Sequence, residues 1–404
     1  MEFEYRDYEL SNAIIDIAAG PFGSNLKVSC FTETGFPIID GANLKGITVT
    51  DNITKFVSED KARSLHRSIA KRRDIVVTIS GNVGQISYIP DNSQYAEYLC
   101  SQRQFRVTFD ESKIYVPYLV YYLHSVEGRS KILAFANQTG VPALSQPLKN
   151  FRKIKIDLPS LENQHKIADI LSTLDEKIAI NRAINDNLLE QALTLYSTQF
   201  STIERNGCIG DYCSIKSGFA FKSSWWTHSG VKVIKIGSIN QDNLNLLECS
   251  YVDNDKIEKA KDFKVGAGDL LIAMTGATIG KFAMVPYSSE ILLVNQRVGK
   301  FFLGDNPVKK LPFIYCTLKQ PEVYSEVVNR GQGSAQPNIS ASDIMSIPCV
   351  IPSQGAINSF NDTTQPLFNL IISNQRENQQ LSKLRDTLLS KLMSGEIDVS
   401  AVQL

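Results

Sequence analysis

The chain has 404 residues and balances 42 Lys plus Arg against 42 Asp plus Glu, which excludes a global basic footprint and confines any nucleic-acid contact to local patches. An apolar fraction of 43% and a charged fraction of 21% exclude a disordered chain, and the length predicts more than one core. The seven cysteines form no CxxC pair and read as reduced thiols, the opening MEFEYRDYELS has no apolar signal region, and nothing is apolar for long enough to span a membrane, so a cytoplasmic location is expected.

In chain order, residues 1–157 read as a first globular region. Within it, AKRRD groups Lys71, Arg72 and Arg73, either as a solvated charge run or as a phosphate contact. DIVVTISGNVGQISYIP, from Asp74 to Pro90, predicts an acidic turn, a β-branched strand, a Ser-Gly turn and a second strand. SQRQFRV carries Gln102 and Arg103, and PYLVYYL opens a short helix at Pro117, because proline suits a first helical turn. Asn137, Gln138 and Thr139 form a polar turn, and NFRKIK reads as a strand edge ahead of LPS.

Residues 158–204 predict a first spacer helix, with Ser160 as its N-cap and Glu162 in its positive first turn. Alternating steps of four and three give a seam of Ile167, Leu171, Leu174, Ile178, Asn181, Asn185, Leu188, Ala192 and Leu195. Residues 205–350 then read as a second globular region, and 351–404 as a second spacer helix region. Its seam is Phe360, Thr364, Leu367, Ile371, Asn374, Asn378, Leu381, Arg385, Leu388 and Leu392. Pro366 predicts that this helix proper begins near Thr364, with 355–363 as a separate turn, and Gly395 marks its stop.

The two asparagine pairs fall at matching places about 193 residues apart, and the repeat extends through the whole chain. DLLIAMTGATIGKFAMVP repeats the strand–turn–strand unit, NQRVGKF repeats the Gln-Arg pair as Gln296 and Arg297, and PFIYCTL repeats the short helix at Pro312. The expected fold is therefore α+β: two tandem recognition-like domains alternating with two long helices, pseudo-two-fold symmetric and paired as an antiparallel coiled coil. In that register Asn181 faces Asn378, Asn185 faces Asn374, Ile178 faces Leu381, Leu188 faces Ile371, and Leu174 meets Arg385 in a weaker layer. A buried asparagine costs stability and specifies register, so the four asparagines are expected to fix the alignment of a spacer. An unbroken helix of about 35 residues is on the order of 50 Å long, and a spacer with a reader on each side suits two marks at fixed separation, such as DNA half-sites roughly 34 Å apart.

Catalytic signatures are missing. GATIGKF has three residues between its glycines where a phosphate loop needs four, and Phe282 stands where a magnesium-binding hydroxyl belongs. No dinucleotide fingerprint, GxSxG elbow or HExxH occurs, and the four histidines lack carboxylate or cysteine partners nearby in sequence. The chain is expected to hold no metal and to do no chemistry itself. The base-reading candidates are instead polar glycine turns, where small residues let backbone and amides approach a groove. They are Ser80-Gly81-Asn82 with Thr275-Gly276-Ala277, and Asn137-Gln138-Thr139 with Gln332-Gly333-Ser334. Gln102-Arg103 and Gln296-Arg297 either join them or brace their strands. SSWWTH, from Ser223 to His228, reads as a base-stacking wedge or, preferably, a lid over the second core.

Taken together, the pattern resembles the specificity subunits of type I restriction-modification systems. GFAFKS at Gly218 is similar to the family's opening of a recognition domain, LPSLENQHKIADILSTLDEKI to its spacer entry, and LLSKLMSGEI at Leu388 to its C-terminal ending. The sequence departs where the family's Glu-Gln after the spacer proline is Asn163-Gln164, and where PSQGAINSF lacks it. The resemblance implies a bipartite double-stranded DNA target, one half read by each domain, with the helices setting the gap. It also implies two adenine methyltransferase subunits carrying S-adenosylmethionine, and it admits two restriction (motor-nuclease) subunits using ATP and magnesium. A modification-only or phage-defence relative is the near alternative, and a two-headed adaptor that does not bind DNA is the distant one.

Overall fold

Short β-branched runs interrupted by glycine turns dictate small, mainly antiparallel sheets, and the structure, a computed structural model, builds a four-stranded and a five-stranded sheet in each half of the chain, besides two-stranded pairs. It describes residues 6–137, 141–332, 337–400 and 402. The chain forms two compact units: one holds residues up to Asp175 together with those from Lys383, and the other holds Glu176–Ser382.

In the first unit, strands Ile14–Ala19, Gln104–Phe109, Ile75–Thr78 and Ile86–Tyr88 lie side by side in that order, all antiparallel. A second sheet runs Phe31–Thr32, Phe56–Val57, Phe36–Ile39, Glu97–Cys100 and Ile69–Lys71, with its one parallel pair between Phe36–Ile39 and Glu97–Cys100. Arg6–Glu9 pairs with Lys155–Leu158 to close the unit. Helix Val116–His124 is buried almost throughout, and its core reaches Ile167, Leu171, Leu392 and Met393 of the long helices.

The second unit repeats this plan strand for strand. Ser214–Ser217, Val298–Phe302, Leu270–Ala273 and Phe282–Met284 form the four-stranded sheet. Trp226–Thr227, Ser250–Val252, Val231–Ile234, Leu292–Val294 and Lys264–Val265 form the five-stranded one, again with one parallel pair. The hydrogen bonds match as well: Ser101 N–H donates to the Ile39 carbonyl at 2.9 Å, and Asn295 N–H to the Ile234 carbonyl at 3.0 Å. This unit adds a hairpin, Ile239–Asn240 with Asn243–Leu244, held to the second long helix by Gln375, which donates to the Asp242 carbonyl at 3.0 Å, and by Gln379, which donates to the Leu244 carbonyl at 3.1 Å.

The long helices are Leu161–Phe200 and Gln354–Met393, each of 40 residues, or about 60 Å. Ser160 caps the first: its hydroxyl accepts from Asn163 N–H at 3.3 Å. Gln164, fully buried, accepts from Tyr115 N–H at 2.8 Å at the start of the short helix. In the second unit, where no glutamine stands at that place, Asn361 takes the Phe313 N–H at 2.9 Å, so a side-chain amide from a long helix braces the short helix in both halves.

The second long helix starts at Gln354, ten residues ahead of the expected Thr364, and Pro366 lies inside it. The physical reason is the side on which the proline falls. Pro366 and Asp362, whose carbonyl it leaves without a helical donor, both lie on the exposed side of the helix. The opposite face buries Ile357, Phe360, Thr364 and Phe368. Burying an apolar side chain contributes roughly 1.5–3 kcal/mol, so Ile357 and Phe360 together outweigh the ~3 kcal/mol penalty of an interior proline. Thr363 and Thr364 also donate their hydroxyls to the Ser359 and Phe360 carbonyls one turn back.

Within the second unit the helices run antiparallel through the asparagine layers. Asn181, 1% exposed, donates to Asn378 Oδ1 at 3.0 Å and to Glu377 Oε2 at 2.7 Å, and Asn374 donates to Asn185 Oδ1 at 2.8 Å. Within the first unit, Arg385 does not settle into a weak layer against Leu174. It binds the neighbouring Asp175 carboxylate at 2.5 Å, and that carboxylate also accepts from Tyr121 Oη at 2.7 Å. A long side chain can swing past an apolar seam position to find its counter-charge.

Candidate nucleic-acid interface

In each unit two turns meet a third segment, at Pro142–Ala143 or Pro337–Asn338, at one end of the four-stranded sheet. In the first unit, Ile79 N–H donates to the Arg103 carbonyl at 2.7 Å, and Gly81 N–H to the Pro142 carbonyl at 3.0 Å, while Ser80 bridges Ala143. In the second, Met274 N–H donates to the Arg297 carbonyl and Gly276 N–H to the Pro337 carbonyl, both at 3.0 Å, while Thr275 bridges Asn338. Gly81 (φ 88°) and Gly276 (φ 72°) occupy the left-handed region that the turn requires. The Ser80–Asn82 and Thr275–Ala277 turns are thus brought together with Arg103 and Arg297 respectively. Asn137 ends the short strand Ala136–Asn137 beside the first cluster, and Gln332 follows helix Pro321–Gly331 beside the second. Gln138, Thr139, Gly333 and Ser334 lie outside the described residues.

In the first Gln-Arg pair the glutamine and the arginine play different parts. Gln102 donates to the Leu26 carbonyl at 2.6 Å and to that of Gly23 at 3.3 Å, so it braces the loop after Gly20. Gln296 and Arg297 are exposed, as is Arg103, whose guanidinium lies 3.8 Å from where a Cβ would stand on Gly81. Among the described residues neither arginine side chain has a carboxylate or carbonyl partner. Arg297 lines an open cleft of about 550 Å³ with Ser217, Thr275, Gln296, Asn338 and Ser340. Among the described residues the Thr275 hydroxyl, buried there, has no hydrogen-bond partner.

The basic run behaves differently. Arg73, at a positive φ of 72°, grips Glu111 with two guanidinium nitrogens at 3.0–3.2 Å and lies over the Tyr115 ring. Burial would push its pKa down, but the Glu111 bonds prevail and hold it above the ordinary value. Arg72 donates to the Ser93 carbonyl at 3.0 Å, and Lys71 lies 3.5 Å from Glu97. All three side chains therefore have partners inside the protein, and Arg73 serves as an internal brace.

Beside the second cluster the structure places cations that sequence reasoning missed. Trp225 and Trp226 are half-buried on a core of Phe221, Val231, Val233 and Val252, which favours the lid over the wedge. Lys235 Nζ sits 3.5 Å from the Trp226 centroid, and Lys222, Lys256 and Lys259 surround Trp225 at 5.2–5.8 Å. Desolvation alone lowers the pKa of Lys235. The matching position in the first unit is Asp40, in an ion pair with Lys55; burial works against its charge, and the bonds from Lys55 and Ala42 N–H still bring its carboxyl below the ordinary value. Aligning the two halves of the sequence at this strand would have exposed the reversal of charge.

All seven cysteines are unpaired. Among the described residues no three His, Cys, Asp or Glu side chains converge as a metal site, and no helix is long and apolar enough to cross a membrane.

The family described as "Type I restriction modification DNA specificity domain" matches the chain twice, over residues 23–190 and 204–383. The chain is 25% identical over 282 residues to the type I restriction enzyme MjaVIII specificity subunit of Methanocaldococcus jannaschii, covering 65% of this chain and 66%, just under two thirds, of that protein. It is 24% identical over 372 residues to the MjaIX specificity subunit of the same organism, covering 85% and 82%. In fold it is similar to the crystal structure of a type-I restriction-modification system S subunit from M. genitalium, with a TM-score of 0.56, 18% identity and 96% of each chain covered.

Proposed function

The chain belongs to the family of type I restriction-modification DNA specificity proteins, and from that premise we propose that each compact unit reads one half of a bipartite duplex target through the cluster at this end of its four-stranded sheet. The observation that carries this reading is the recurrence, at the same place in both clusters, of an exposed arginine, Arg103 or Arg297, whose side chain has no carboxylate or carbonyl partner among the described residues. Two readers of different half-sites must differ where they touch bases and can agree where they touch phosphates. The arginines and their glycine turns recur, so we assign Arg103 and Arg297 to the DNA backbone. Base edges fall to the side chains that differ: Ser80 and Asn82 against Thr275 and Ala277, and the 137–139 turn against 332–334.

The long helices set the gap between half-sites, with the Asn181–Asn378 and Asn185–Asn374 layers fixing register, because a one-turn slip would leave four amides unpaired. They also dock two adenine methyltransferase subunits. Ile180 and Ile184, one turn apart and 54% and 40% exposed, offer apolar surface for that contact. S-adenosylmethionine then belongs to those partners, and ATP and magnesium to motor-nuclease subunits where these join. This chain acts in the cytoplasm as a non-catalytic reader.

The test is to express the chain with a cognate methyltransferase subunit in a host lacking such modification and map the methylated adenines. One bipartite motif with a fixed gap, absent without this chain, is expected. No new methylation, with the partner shown to be folded and bound, would overturn the reading.

A further inference from the structure

The two units share a strand plan but not a charge at the edge of the reading cluster. In the second unit the Gln296–Arg297 turn is flanked on both sides: Gln296 N–H donates to the Phe219 carbonyl at 2.9 Å, and Asn295 N–H to the Ile234 carbonyl at 3.0 Å. Trp225 stacks on Phe219 at 6.0 Å and 13°, and Lys235 directly follows Ile234. The tryptophan–lysine group therefore continues from the turn that carries Arg297. Lys256 is paired with Asp255, but among the described residues Lys222, Lys235 and Lys259 have no carboxylate partner. At the matching place the first unit has Phe31 for Trp226 and the paired Asp40 for Lys235.

We infer that Lys222, Lys235 and Lys259, arrayed on Trp225 and Trp226, form a phosphate-binding platform that grips the duplex backbone beside the second unit's half-site, with no equivalent among the first unit's described residues. The inference rests on the DNA-reading role proposed above. Base stacking is disfavoured by the geometry, because Lys235 already covers the Trp226 face and Phe219 covers one face of Trp225. What the group presents outward is ammonium. The tryptophans serve to hold those ammoniums in place, since a cation over an indole face stays put without a carboxylate that would cancel its charge. The platform is thus sequence-independent, and it makes the second unit the stronger electrostatic anchor of a chain whose net charge is zero.

The test compares the wild-type chain with the triple variant Lys222→Gln, Lys235→Gln, Lys259→Gln, each in complex with the methyltransferase subunit. Binding is measured against salt on a duplex carrying the methylated motif and on a scrambled duplex of the same length. Three lost phosphate contacts should make the slope of log affinity against log salt shallower by roughly 2–3 on both duplexes, with the methylated motif unchanged. Should the triple variant fold poorly by thermal melting, Lys222→Glu with Lys259→Glu, both at exposed positions, is expected to shift both slopes in the same direction. Unchanged slopes, or a loss confined to the motif-bearing duplex, would overturn the platform. A wild-type complex that binds neither duplex would overturn the DNA reading and this inference with it.

Discussion

At the strand end beside its Gln-Arg turn, one unit carries Asp40 bound to Lys55 and the other carries Lys235 on Trp226. The strands around both positions pair residue for residue, so the scaffold tolerates either charge. The features shared by the two halves are those the fold needs: the sheet order, the close approach at Gly20 and Gly218, and the amide brace from a long helix to a short one. The features that differ are the side chains at the rim. A duplicated reader can therefore change what it touches without changing what holds it up, and a balanced total charge says little about either rim.

The comparison breaks most severely at its shared features. A Cβ on Gly20 would lie 1.9 Å from the Ser101 carbonyl oxygen, and one on Gly218 lies 2.4 Å from that of Val294. Backbone atoms tied to a strand end have little room to step aside, so Gly20→Ala and Gly218→Ala should each cost about 3 kcal/mol, seen in denaturant melts as the loss of one unit ahead of the other. A melt that stays in place would mean that these loops are not built as described.

The asparagine layers should show an effect of intermediate size and opposite sign. Replacing both members, Asn181→Leu with Asn378→Leu, swaps a polar layer for an apolar one and should raise stability by about 1–2 kcal/mol. Methylation mapping should then show more than one gap length. Asn181→Leu alone should lower stability, because it leaves the half-buried Asn378 amide and the Glu377 carboxylate without their donor. A double variant with an undisturbed single gap would remove the register role from these residues.

The short helices end differently, in His124 and Lys319, and this sharpens the comparison through pH. His124 Nε2 bonds the Ile86 carbonyl at 2.7 Å, and burial lowers its pKa from the ordinary 6.5. Because the folded value is below the unfolded one, its contribution is fully present above pH 6.5 and is lost as pH falls through the folded value. Thermal melts of the wild type should therefore drop between neutral and mildly acidic pH, and His124→Gln should flatten that drop. A profile identical in the two proteins would assign the acid sensitivity elsewhere. The smallest effect is expected from the arginines: Arg103→Ala and Arg297→Ala should each reduce the salt slope of DNA binding by about 0.9 and leave the motif intact. A motif degenerate at one position would instead make that arginine a base reader.

Much of the architecture is legible in the sequence because it is periodic. The repeat, the helix caps, both seams and the facing of the asparagines all follow from spacing. What is not legible depends on contacts distant in sequence. Arg73 looks like part of a surface run until Glu111, 38 residues later, closes on it. Pro366 looks like a helix start until the buried face through Ile357 and Phe360 is known. Lys235 is one lysine among many until the parallel pairing of Val231–Ile234 with Leu292–Val294 sets its strand end beside the turn that carries Arg297.

The central claim is that two independent readers share one frame, and exchanging one of them tests it most directly. Residues 206–350 would be replaced by the equivalent segment of another family member, and the methylated motif mapped in the same host. The account predicts that one half-site changes while the other half-site and the gap stay as they were. A motif altered in both halves, or in neither, would contradict it.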